Sequence, residues 1–96
     1  MNPQRGEVAL DIGGETRKLC LTLGALAEIE AALGCESLKD LSARLKRVSA
    51  KDLQLVLAAL LRGGGETAAA EALPGMSVHP ASAIAAVLAC FRDASA

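Results

Sequence analysis

The pair Gly13-Gly14 constrains this chain more than any other feature of it. On its N-terminal side Val8, Leu10 and Ile12 alternate with Glu7, Ala9 and Asp11, the period-two pattern of a strand with one buried face. Two adjacent glycines supply the positive φ angles that a two-residue type I′ turn requires. Such a turn sets Ile12 opposite Glu15, Leu10 opposite Arg17 and Val8 opposite Leu19. One face then carries Val8, Leu10, Ile12, Leu19 and Leu21, and the other Glu7, Ala9, Asp11, Thr16, Lys18 and Cys20. The two strands agree on which side is apolar, and a slip of one residue would turn that side to water. A two-stranded ribbon is marginal by itself. The hairpin at residues 7–21 must therefore lie on helices, and the first and third are expected under it.

The remainder reads as helix. Ala (20) and Leu (16) supply most of the apolar residues while Val and Ile total 8, a bias toward helix formers and away from sheet formers. Residues 22–62 hold three helices. Thr22 caps the first, Leu23 to Leu33, which ends at Gly34 and carries a stripe of Leu23, Leu26, Ile29 and Leu33. Ser37 opens the second, with Leu38, Leu41, Leu45 and Val48 on one face and Lys39, Arg44, Lys46 and Arg47 on the other. Ser49 caps the third, Lys51 to Arg62, whose Leu53, Val56, Leu57, Leu60 and Leu61 form one face while Leu55 and Ala59 fall outside it. A helix apolar nearly all round is either central to the fold or covered by another chain.

Gly63-Gly64-Gly65 makes residues 63–66 a Gly-rich break, read as a loop with hinge character. Residues 67–96 then give a short Ala-rich helix, stopped at Pro74-Gly75, and a C-terminal helix. His79 and Pro80 stand as N-cap and first residue of that last helix. Its buried face is expected at Ile84, Val87, Leu88 and Phe91, with its alanines permitting close approach, and Asp93 to Ala96 should fray. The class is mainly α, in an α+β arrangement: an N-terminal β-hairpin packed on a small bundle of three to five helices, in a single domain over residues 1–96.

Charge and side-chain chemistry exclude several functions. With 10 Lys+Arg against 11 Asp+Glu there is no net field for nucleic acid or an anionic membrane. The single aromatic, Phe91, makes no stacking platform, and no apolar run reaches bilayer length. Met1 to Glu7 lacks the apolar core of a signal peptide, so a cytoplasmic location is expected. Cys20, Cys35 and Cys90 are odd in number and form no CxxC, as thiols in a reducing compartment would be. One histidine, no tyrosine and no tryptophan leave no readable catalytic set, no metal-ligand spacing and no phosphate loop. Glu28 and Glu30 point in different directions on their helix. No catalytic residue, cofactor, metal or small-molecule substrate is expected.

What remains is a surface for protein partners. The chain carries more apolar side chains than a hairpin and a few helices easily hide, and exposed apolar patches mark interaction sites. The candidates are Leu55 and Ala59, off the main face of the third helix, and Ala69 and Leu73 in the Ala-rich segment. Leu55 is the foremost of these, against the alternative that it packs under the hairpin or the last helix.

The N-terminal third also resembles a known family. The run Asn2-Pro3-Gln4-Arg5-Gly6-Glu7-Val8, then Leu10, Gly13-Gly14, Leu19, and Leu23-Gly24-Ala25-Leu26-Ala27-Glu28-Ile29-Glu30 through Gly34, is similar to the small tail proteins of gene transfer agents. These belong with phage tail assembly chaperone-like proteins. The likeness covers about residues 2 to 41, and beyond that it is one of pattern. It implies a non-enzymatic tail assembly protein, a chaperone that binds the tape-measure protein or another tail protein, with homo-oligomers also open. The alternative it implies is a structural subunit retained in the tail or tail tube. A third reading, helices two and three as a DNA-binding helix-turn-helix, meets the objection that the second of them is too apolar to lie in a groove.

Overall fold

The computed structural model describes residues 7–95 of the chain; the leader-free reading of Met1 to Gly6 and the fraying expected of Ala96 lie outside them. Strands β1 (Glu7–Ile12) and β2 (Glu15–Cys20) form one antiparallel ribbon. Its register is the one the turn dictates: Ile12 faces Glu15, Leu10 faces Arg17 and Val8 faces Leu19. Gly13 and Gly14 take φ of 61° and 85°, as the type I′ turn demands. Leu10, Ile12 and Leu19 are buried on the apolar face, with Val8 and Leu21 packed at its margin.

Five α-helices follow: α1 (Leu23–Leu33), α2 (Leu38–Leu45), α3 (Ala50–Gly63), α4 (Thr67–Ala72) and α5 (Pro80–Ser95), with a 3-10 turn at Leu73–Gly75 between the last two. The caps fall where the sequence puts them. The hydroxyls of Thr22, Ser37 and Ser49 accept from the backbone N–H of Ala25, Asp40 and Asp52 at 3.0, 3.2 and 3.1 Å. His79 heads α5, its Nδ1 accepting from Ser82 N–H at 3.4 Å and its carbonyl from Ala83 N–H at 2.9 Å. The last helix runs as far as Ser95.

Helix α3 is the central element. It packs against α1, α4, α5 and β2, and buries Val56, Leu57, Ala59, Leu60 and Leu61. The hairpin lies on the third helix, α3, as expected, but its other support is α5 and not the first helix, which packs on α3. Two faces are rotated from their expected positions. On α1 the buried residues are Ala25, Ile29 and Leu33, while Leu23 is 86% exposed. On α5 they are Ala83, Ala86, Val87 and Cys90, and Ile84 and Leu88 face solvent. The cause is distance: α5 runs close over β1, where small side chains fit and Ile84 or Leu88 would hold the helix away.

The glycine triplet is not a hinge. Helix α3 continues through Gly63, and Gly63 and Gly64 are pressed onto the outer edge of β2. A Cβ on Gly63 would sit on the Cys20 carbonyl oxygen and 3.3 Å from the Ala25 Cβ; one on Gly64 would sit on the Lys18 carbonyl oxygen. These residues are needed for what they lack. Just beyond them, Glu66 Oε2 accepts from Lys18 N–H at 3.0 Å and its Oε1 lies 3.4 Å from the Arg17 guanidinium. Helix end and strand edge are thus joined by close backbone contact and by a carboxylate.

Substitution tests this contact. In a free helix Gly63→Ala would gain about 1 kcal/mol of propensity. Here it should instead destabilise, and Gly64→Ala with it, by about 3 kcal/mol or more, because backbone rather than a flexible side chain must give way. Gly75→Ala, with open space around it, should unfold close to the wild type in urea.

Candidate interaction surfaces

The four residues singled out as partner-binding separate sharply. Leu55 is on the surface, 40% exposed. Ala59 (0%), Ala69 (4%) and Leu73 (4%) are in the core, so their expected surface placement fails. Ala59 lies where α3 meets α1, beside Ala25 and Gly63. Ala69 is shut in by the packing of α4 on α3, and Leu73 floors an apolar groove between α3 and the start of α5. The same groove is lined by Leu53, Leu57, Met76, Val78 and Pro80. In each case an interior place needed a small or well-fitted apolar residue, which the helical pattern alone does not separate from a surface one.

The sequence missed four exposed apolar side chains: Leu23 at the start of α1, Leu38 at the start of α2, and Ile84 and Leu88 one turn apart on α5. Each of the four fits an apolar stripe, and that pattern predicts a core place for it. Single exposed leucines are ordinary, but Ile84 and Leu88 lie side by side and form a small apolar patch on one flank of α5.

Charged groups surround these surfaces. Arg44 is no idle surface cation: its Nη2 lies 2.8 Å from Asp52 Oδ2 and its Nη1 donates to the Leu33 carbonyl at 3.2 Å, tying α1, α2 and α3 together. Glu28 pairs with Arg62 across α1 and α3. The hydrogen bond from Arg44, aided by the Ser49 cap, holds the Asp52 carboxyl below the usual carboxylate range. Burial, then the nearby Glu7 charge, push the Cys20 thiol up, which disfavours its thiolate and makes it a poor nucleophile. No pair of Cys20, Cys35 and Cys90 is joined in a disulfide. Among the described residues no group of carboxylates, cysteines and histidine is arranged to hold a metal, and no helix is long and apolar enough to cross a membrane.

The two edges of the hairpin differ. In β2 the backbone groups of Lys18 and Cys20 point away from β1, and the α3 end covers them. The same alternation makes Ala9 and Asp11 the outward residues of β1. The turn glycine Gly13 donates to the Ser77 carbonyl at 2.9 Å, which ends that edge. Among the described residues the backbones of Ala9 and Asp11 have no hydrogen-bond partner on that side. Beside them runs a groove walled by the small face of α5, Ser82, Ala85 and Ala89.

A family model described as phage tail tube protein, GTA-gp10, matches residues 5–94. No curated protein sequence and no solved structure gives a match.

Two measurements check the surface. Leu55→Gln should leave the melting temperature within a few degrees of wild type, because the side chain is already half in water, whereas Ala59→Gln should lower it strongly by overpacking a closed site. The folded-state pKa of Asp52 is depressed, so its share of stability is complete above the unfolded carboxylate pKa, about 3.9, and is lost as pH falls through the depressed value. Arg44→Gln should return the Asp52 titration, followed by carboxyl NMR, toward the ordinary range.

Proposed function

The chain belongs to the family described as phage tail tube protein, GTA-gp10, and on that premise we propose that it is a structural subunit of a phage-like tail tube, retained in the finished particle. The observation that carries this reading is the extent of the match, residues 5–94, which takes in every element from the hairpin to α5. The geometry supports it. A subunit of a tube must make heterologous contacts, one surface of each copy meeting a different surface of the next. This chain leaves apolar side chains exposed on different helices, Leu23 on α1, Leu38 on α2, Leu55 on α3, and the neighbouring pair Ile84 and Leu88 on α5. The subunit works by binding and not by catalysis, is made and assembled in the cytoplasm, and has other tail proteins and further copies of itself as partners.

A chaperone that coats the tape-measure protein and then leaves draws on the same patches. Composition of purified particles separates the two. The tube reading expects this chain in many copies, labelled by antibody along the tail. Its absence from intact particles, together with its recovery from lysate bound to the tape-measure protein, would replace the tube reading with the chaperone one.

A further inference from the structure

The open edge of β1 points to an occupant that no apolar patch specifies. We propose that it is a docking site for an extended segment of another protein, one in which basic residues alternate with apolar ones, added as a third strand beside β1. The inference is drawn from the edge itself and stands whether the chain stays in the tail or leaves it.

Backbone chemistry fixes the first part. Ala9 and Asp11 present unpartnered N–H and C=O groups in a row, and only extended backbone matches that spacing. An incoming strand would send every second side chain toward α5. There Ser82, Ala85 and Ala89, at i, i+3 and i+7, are all small and leave room for apolar side chains. A helix carrying leucines at these places would fill the groove.

Charge fixes the second part. The other side chains of an added strand would stand beside Glu7, Ala9 and Asp11 on the polar face of the ribbon. Asp11 is exposed and makes no ion pair among the described residues, while Glu7 lies 3.6 Å from Lys18. The row is acidic at both ends, and a strand with Lys or Arg opposite Asp11 gains a cross-strand pair. A second copy of this chain is the wrong occupant. With two β1 edges antiparallel and centred on Ala9, Asp11 of each copy would face Glu7 of the other, like charge on like. The strand with the basic residues, β2, has its outer edge closed by Gly63, Gly64 and Glu66.

The test uses the whole chain, ¹⁵N-labelled, and two end-capped ten-residue probes: alternating Lys and Val, and the same peptide with Glu for Lys. Amide exchange is read at Ala9 and Asp11. The Lys-Val peptide should slow both amides roughly threefold or more while the Glu-Val peptide leaves them unchanged. Asp11→Lys should reverse the preference, and Ala85→Arg, at an exposed position, should abolish binding without changing the melting temperature. No slowing by either peptide, or equal slowing by both, would overturn the proposal. So would slowing produced by raising the protein concentration alone, which would make the occupant a second copy.

Discussion

The structure depends on how α3 ends. A helix packed across a two-stranded ribbon normally keeps its backbone well clear of the strands, held off by side chains. Here the last turn of α3 meets the edge of β2 backbone to backbone, because Gly63 and Gly64 carry no Cβ at the two points of contact. Glu66 then neutralises what close approach would leave unsatisfied, accepting from Lys18 N–H and pairing with Arg17. A ribbon that would be marginal alone becomes an extension of the central helix. Because α3 also packs against α1, α4 and α5, that contact ties the ribbon to the helices around it.

This arrangement makes the ribbon asymmetric. One edge is consumed internally and the other is left to water between Gly13 and Glu7. Helix α5 packs on both β1 and α3 with Ala83, Ala86, Val87 and Cys90 buried, and Ile84 and Leu88 face outward. The same packing choice therefore produces both an apolar flank and an open strand edge, two surfaces of different chemistry on neighbouring elements. Exposed apolar side chains on several helices are consistent with membership of a tail protein family.

Much of the fold was legible in the sequence where one physical rule acted alone. Period-two alternation and a Gly-Gly turn gave the hairpin register, and Thr22, Ser37, Ser49 and His79 marked four helix starts. Legibility failed where one residue type serves two ends. Glycine provides backbone freedom and also the absence of a side chain, and Gly63-Gly64 serve the second use where a glycine run suggests the first. Alanine and leucine both fit an apolar stripe, so the buried line of α5 was placed on Ile84 and Leu88 when close packing had selected Ala83 and Ala86. The same ambiguity put Ala59, Ala69 and Leu73 on the surface when they belong to the core, and left Leu55 as the one candidate residue that a partner could reach. The open β1 edge had no signal in composition, since which edge of the ribbon stays open depends on α3 covering the other.

Native-state amide exchange on the wild-type chain, with no ligand added, tests the central claim most directly. Lys18 N–H is bonded to the Glu66 carboxylate beneath the α3 end, so it should exchange only through large-scale opening. Ala9 N–H, at the matching place on the other edge, should exchange by local fluctuation and much faster. Equal rates, or faster exchange at Lys18 than at Ala9, would show that the end of α3 does not hold the hairpin in place.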